Sequence, residues 1–325
     1  MRAIAITKPG GPEVLSLVER RSPEPARGEV RVRVRATALN RADLLQRAGG
    51  YAAPADSPPD IPGLEFAGEV DALGPGVERW RIGDRVFGLV GGGGYAEQLV
   101  SHERAVAAIP PGLSFEHAAA VPEAFITAYD AMVTQAGLAG GETLLVHAVG
   151  SGVGTAAVQL GRALGARVIG TARTADKIDS AKQLGLEVGV LASDGKFAEG
   201  VTAADPAGAA VVLELVGGGY FAEDLRCTRP LGRIVLIGLM AGAKHEVDLS
   251  LILRKRLRVM GTVLRARPLE EKIAAMRTFE QQVVPLVARG LVKPIVDRVM
   301  PLDSAGEAHK RMASNAGFGK IVLSV

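Results

Sequence analysis

The stretch Thr143–Gly170, TLLVHAVGSGVGTAAVQLGRALGARVIG, decides the fold. Residues Thr143 to His147 favour a β-strand. Gly150, Ser151, Gly152 and Gly154 follow, where backbone must bend and come close to something else. Val153, Ala156, Ala157, Leu160, Ala163 and Leu164 then recur at spacings of three and four, the apolar stripe of a helix laid on a sheet, and Gly165 supplies its stop. A helix that begins at such a turn aims free N–H groups and the positive end of its dipole at an anion, the geometry of a pyrophosphate cradle. The G-x-G-x-x-G frame is imperfect, because counting back from Gly154 finds Ser151 and Val149 at the other two places. A hydrolase nucleophile elbow at Ser151 would need glycine two residues before and two after it, where Val149 and Val153 stand.

Strands and helices keep alternating beyond this unit. Arg167–Thr171, Val188–Leu191, Ala210–Val216, Arg233–Ile237 and Leu257–Gly261 read as strands, and Asp176–Leu184 and Phe221–Arg229 as helices between them. Alternation of this kind predicts an α/β class with a parallel, doubly wound sheet.

Ahead of it, Glu29 to Ala38 places Val30, Val32, Val34, Ala36 and Ala38 on one face and Arg31, Arg33, Arg35 and Thr37 on the other, a strand with one buried and one wet side. The arginines read as a solvated face, since no aromatic residue interleaves with them to stack on bases. Short strands at Leu64–Leu73 and Arg85–Leu89, with turn signals at Gly74-Pro75-Gly76 and Gly83-Asp84, suggest a small barrel-like β domain. Gly91 to Gly94 carry no side chain for chemistry. Ala118 to Met132 reads as a helical connection, Leu269 to Val287 as one helix with Leu269, Ile273, Met276, Val283 and Val287 inward, and the last segment as strand, helix and strand.

At 325 residues the chain exceeds one ordinary core, and two domains are expected. Its 48% hydrophobic and 22% charged content is that of a globular protein. No run approaches the ~20 apolar residues of a membrane span, and the start MRAIAITKPGG has no signal-peptide core, so no membrane contact and a cytoplasmic address are expected. A formal charge of +3, mixed over 38 basic and 35 acidic residues, argues against a nucleic-acid partner. The single Cys227 excludes an internal disulfide and a multi-cysteine metal cluster. His102, His117, His147, His245 and His309 show no i, i+4 pairing, and no Asp–His or Ser–His arrangement emerges from spacing.

Six blocks in order carry a family resemblance: ALNRADLLQRAGGY (Ala38–Tyr51), PGLEFAGEV (Pro62–Val70), GPGVERWRIGDRVFGL (Gly74–Leu89), PEAFITAYDAM (Pro122–Met132), HAVGSGVGTAAVQLGRALGA (His147–Ala166) and GKIVLSV (Gly319–Val325). Across its length the chain resembles the zeta-crystallin-like NADPH:quinone oxidoreductases of the medium-chain dehydrogenase/reductase superfamily. The resemblance implies a GroES-like β-rich catalytic domain over residues 1–124, a Rossmann NADPH-binding domain over 125–263, and a segment 264–325 completing the first. It also implies an active site between the two domains and a homodimer or homotetramer.

In the alcohol dehydrogenase branch a catalytic zinc is held at places that align with Asn40, Leu64 and Glu123. An apolar Leu64 cannot ligate zinc and Asn40 replaces a thiolate poorly, so no metal is expected. Hydride added to an isolated ketone builds an alkoxide that wants a Lewis acid, whereas a quinone or activated enone spreads the new charge. The expected acceptor is therefore a quinone, with an enoyl or alkenal reductase as the alternative and a weakly catalytic NADPH-binding protein as a third reading.

NADPH is the expected cofactor. Where an NAD site offers an acid about 20 residues past the glycine turn, this chain reads Thr171, Ala172, Arg173 and Thr174, with no acid before Asp176. Arg173 and Lys177 would attract a 2′-phosphate that a carboxylate would repel. The family's phosphate-binding tyrosine is replaced by Ala192. By resemblance, Asn40, Tyr51 and Thr127 surround the nicotinamide and acceptor, and Ser151, Gly152, Val153 and Gly154 take the pyrophosphate. Further cofactor contacts fall at Val216 and Gly217, at Gly238 and Leu239, and at Leu264 and Asn315.

Overall fold

Strand β1 (Arg2–Ile6) pairs antiparallel with β2 (Leu15–Glu19), and the chain then enters the long β3 (Glu29–Ala38). Asn40 stops that strand and caps α1 (Arg41–Arg47): its side chain and that of Asp43 close a reciprocal capping box. β4 (Glu65–Leu73), β5 (Arg85–Leu89), β6 (Gln98–His102) and β7 (Val106–Ala108) follow, then α2 (Phe115–Ala119) and α3 (Pro122–Tyr129). The computed structural model describes residues 1–325, which divide into two units: Met1–Ile126 with Leu264–Gly290 and Pro294–Val325, and Thr127–Val263 with Leu291–Lys293.

The second unit begins in the last turns of α3 and a π-helical stretch, Asp130–Gln135, then alternates strictly. β8 (Thr143–Val146), α4 (Gly152–Ala163), β9 (Arg167–Ala172), α5 (Ala175–Lys182), β10 (Val188–Leu191), α6 (Ala198–Ala204), β11 (Ala209–Glu214), α7 (Tyr220–Cys227), β12 (Thr228–Leu236), α8 (Leu249–Lys255) and β13 (Arg258–Gly261) follow in turn. All pairings are parallel and the sheet order is β10-β9-β8-β11-β12-β13, which reads 3-2-1-4-5-6 when the strands are numbered within the unit. β8 and β11 lie at its centre and are apolar on both faces, as a sheet covered by helices requires. The expected α/β class, a GroES-like β-rich unit with a doubly wound sheet, is the fold observed.

The chain then returns to the first unit with α9 (Leu269–Gln282), α10 (Val284–Ala288), β14 (Val296–Pro301), α11 (Ala305–Ser314) and β15 (Lys320–Ser324). Its sheet runs β14-β15-β3-β4-β5-β7, with β6 also pairing with β3. β15 is antiparallel to β3, so the last strand of the chain seals one of the first.

Three expectations are corrected. Leu269–Val287 is two helices, because Pro285 lacks the N–H that would continue α9 and the helix breaks at Val283; Leu269 is 42% exposed. Ala118–Met132 is likewise interrupted, at Ala120–Val121, before Pro122 opens α3. Thr37 is buried, since β3 shifts register against β4 between Val34 and Ala36 and its hydroxyl donates to the Glu65 carbonyl at 2.6 Å. The arginines of β3 do lie on the outer face, where Arg31 pairs with Asp71 and Arg35 with Glu69. Helices α6 and α8 were not marked by the apolar spacing of the sequence.

Candidate active site

The turn between β8 and α4 is built for close approach. Ala148 takes a left-handed φ of 48°, and a Cβ on Gly154 would run into the Ala148 carbonyl oxygen and come within 2.8 Å of the Val149 Cα. Gly154 is therefore buried under the turn and lets α4 start there. Ser151 caps the helix, its Oγ accepting from the Gly154 N–H at 3.0 Å. Gly152 and Val153 occupy the first two helical positions, whose N–H groups have no partner within a helix.

The other residues of this unit that the sequence marks as expected cofactor contacts lie just past the carboxyl ends of its parallel strands, the edge at which open α/β sheets bind ligands. Arg173 follows β9 and is exposed, and Lys177 sits in the first turn of α5. Val216 and Gly217 follow β11; Gly238 and Leu239 follow β12. Gly217 has φ 73°, and the two loops are tied together by Gly218 N–H to Gly242 O at 2.9 Å and Ala241 N–H to Val216 O at 2.7 Å. The Tyr220 hydroxyl donates to the carbonyl of Ala192.

Beneath this edge lies a group that spacing did not reveal. His147 Nδ1 meets Thr171 Oγ1 at 2.8 Å and His147 Nε2 meets Asp224 Oδ1 at 2.7 Å, with Phe197 and Tyr220 rings packed on the imidazole. Glu214, the last residue of β11, accepts from the N–H groups of Val216 at 2.5 Å and Gly217 at 2.8 Å. His147, Glu214 and Asp224 are all buried, their polar atoms within 4.8 Å of one another. Burial holds His147 neutral, raises Glu214 to about 8 and raises Asp224 to about 7. Glu214 Oε2 and Asp224 Oδ2 are left without a hydrogen-bond partner, and the only sequence signal was an acid ending the apolar run Val211–Leu213.

In the other unit, Asn40 stands at the centre of a second polar group. Its Nδ2 donates to Glu65 Oε1 at 2.9 Å, while Lys320 Nζ donates to Asn40 Oδ1 at 2.6 Å and to the Leu39 carbonyl at 2.7 Å. Lys320 Nζ also lies 2.7 Å from Glu65 Oε1, and Glu65 Oε2 accepts from the Glu123 backbone N–H at 2.8 Å. These side chains do not fit a zinc: an ammonium already lies against Asn40 and Glu65, and Leu64 is apolar and buried.

Glu123 is the second residue of α3, and Thr127 follows one turn later on the same face. Burial and the Glu65 charge raise the Glu123 carboxyl to about 8, against the pull of Lys320. The residue as a whole is half-buried, and its carboxyl keeps its proton near neutrality. Tyr51 is positioned by Arg265, whose guanidinium lies 5.0 Å from the ring centroid and donates to Tyr51 O, Gly91 O and Gln46 Oε1. The glycine run Gly91–Gly94 thus contributes backbone. Leu264 directly precedes Arg265. Asn315 ends α11 in a left-handed conformation, and its Oδ1 accepts from Arg41, the neighbour of Asn40.

Two family models match the chain: "Alcohol dehydrogenase GroES-like domain" over residues 26–111 and "Zinc-binding dehydrogenase" over residues 152–281. A quinone oxidoreductase of Lama guanicoe is 31% identical over 99% of this chain and 97% of its own length. The polyketide synthase GfsB of Streptomyces halstedii is 37% identical over 92% of this chain, which spans only 5% of that far longer protein. The crystal structure of Escherichia coli quinone oxidoreductase complexed with NADPH superposes with a TM-score of 0.89, at 31% identity and full coverage of both chains. The chain belongs to the quinone oxidoreductase family of the medium-chain dehydrogenase/reductase superfamily, whose members are NAD(P)-binding oxidoreductases.

Proposed function

We propose that this protein reduces quinones with NADPH and without a catalytic metal. The observation that carries the reading is the ammonium of Lys320 held between Asn40 Oδ1 and Glu65 Oε1, where a Lewis acid would otherwise be expected. Without such an acid the protein has little means of stabilising an isolated alkoxide, and an acceptor that spreads charge over a conjugated ring removes that need.

When bound, NADPH supplies the hydride. The amides of Gly152 and Val153 and the Ser151 cap would hold its pyrophosphate at the start of α4, and Arg173 with Lys177 its 2′-phosphate. Val216, Gly217, Gly238 and Leu239 would line its path along the sheet edge, and Thr127, Tyr51, Asn40, Leu264 and Asn315 would border the nicotinamide and acceptor. Reduction of a quinone to a hydroquinone takes one hydride and one proton. Glu123, protonated near neutral pH, would give that proton to the reduced acceptor's oxygen and recover it from water.

The test is a panel of quinones and conjugated enals offered with NADPH and with NADH, alongside elemental analysis. Oxidation of NADPH by quinones in zinc-free protein is the expected result. Turnover confined to enals would make the chain an alkenal reductase on the same chemistry, and no turnover with bound NADPH would leave a binding protein. Pairing of two copies fits the open edge strand β13 and the exposed Leu249 and Leu253 of α8, and light scattering tests it. No helix is long and apolar enough to cross a membrane.

A further inference from the structure

We propose that Glu214 is a positioning residue for the cofactor loop after β11, and that it acts through a proton held jointly with Asp224. The inference rests on the reading that Val216 and Gly217 face NADPH. It follows from counting donors and acceptors in a site closed to water. With Asp224 Oδ1 accepting from the His147 Nε2–H, Nδ1 is left as an acceptor and the Thr171 hydroxyl donates to it. The amides of Val216 and Gly217 both use Glu214 Oε1.

Two oxygens remain, Glu214 Oε2 and Asp224 Oδ2, each fully buried and without a partner while both carboxyls are counted as ionised. A single proton on Glu214 Oε2, donated to Asp224 Oδ2, satisfies both at once, and the two carboxyls are within reach of one another. The buried groups then lack nothing.

The surroundings keep that proton in place. His147 faces the pair from the end of β8, Thr171 from the end of β9, and Tyr220, Glu223 and Cys227 from α7; Arg173 and Asp194 act on the Tyr220 side. His147 is neutral, so it offers the pair a hydrogen bond in place of a positive charge. Loss of the proton would set two carboxylates side by side in a dry pocket, and the mobile partner is the loop that Glu214 Oε1 anchors. Gly217 and Gly218, both at positive φ and pressed against the Gly242 segment, would carry that movement into the loop after β12.

NADPH affinity measured calorimetrically across pH tests this, over a range above the 2′-phosphate ionisation. Wild-type affinity should fall about ten-fold between about pH 7 and about pH 9.5, the equivalent of one unit of proton linkage. Glu214→Gln keeps the Oε1 acceptor for both amides and gives Asp224 an N–H that does not titrate. It should bind NADPH like wild type at neutral pH and lose the fall at high pH. A Gln variant that weakens in parallel with wild type, or a wild type indifferent to pH, would overturn the proposal. So would a stoichiometric divalent cation released only on unfolding. A wild type that binds no NADPH at any pH would instead refute the cofactor reading. Carbon-13 titration of the Glu214 carboxyl in unliganded protein still judges the proton, and a midpoint in the ordinary carboxylate range would overturn it.

Discussion

Lys320 Nζ and Glu65 Oε1 lie 2.7 Å apart in a fully covered site, although 255 positions separate them in the chain. Removing one member of such a pair strands the other as a buried charge. Lys320→Met should therefore cost about 3–5 kcal/mol, and the double variant with Glu65→Gln should recover most of it. Urea unfolding followed by the fluorescence of Trp80, the only tryptophan, gives both values.

Glu123 makes a prediction in pH. Its acid form persists until about 8, so turnover should be level below that value and decline above it. Glu123→Gln should lower kcat by about 10²-fold, abolish that descending limb and leave NADPH affinity unchanged. Steady-state rates across pH, with NADPH saturating, provide the check.

Cofactor preference is expected to depend on Arg173 and Lys177. Replacing both with alanine should cut the preference for NADPH over NADH by roughly ten-fold or more, because each charge-assisted bond to the 2′-phosphate contributes about 1.5–3 kcal/mol. Parallel Kd measurements with the two cofactors read it directly, and NADH binding should hardly move.

Gly154→Ala places a methyl group against the Ala148 carbonyl and the Val149 Cα. The start of α4 must then shift off the turn, at a cost of about 1–3 kcal/mol in stability. NADPH affinity should fall along with it. Thermal unfolding and cofactor titration of the same variant separate the two effects.

Global stability should also fall as pH rises from about 4.5 towards about 8. Folded Glu123 and Glu214 both keep a proton in that window that the unfolded chain releases, and the fall levels off above it. Denaturant midpoints for wild type against the paired Gln variants measure the slope, which the variants should flatten.

The sheet of the second unit was readable because its signals are local. A strand such as Thr143–Val146 and the turn and stripe of α4 declare themselves within 20 or so residues. Breaks set by single residues, such as Pro285 after a smooth apolar stripe, were harder to see against that periodicity. The polar groups were illegible for a different reason. Asp224 lies on a helix 77 residues beyond His147, and Lys320 on the last strand, so nothing in either neighbourhood marks the partner. Glu123 was visible only as a failed zinc ligand, since its raised pKa comes from burial and from Glu65 rather than from adjacent residues.

β15 seals β3 and brings Lys320 to Glu65, so the sheet begun near the amino terminus stays open until Ser324 has been made. The nucleotide-binding half, by contrast, is nearly contiguous in the chain. On the ribosome it can mature first, while the half that would receive the acceptor waits unfinished for its closing strand.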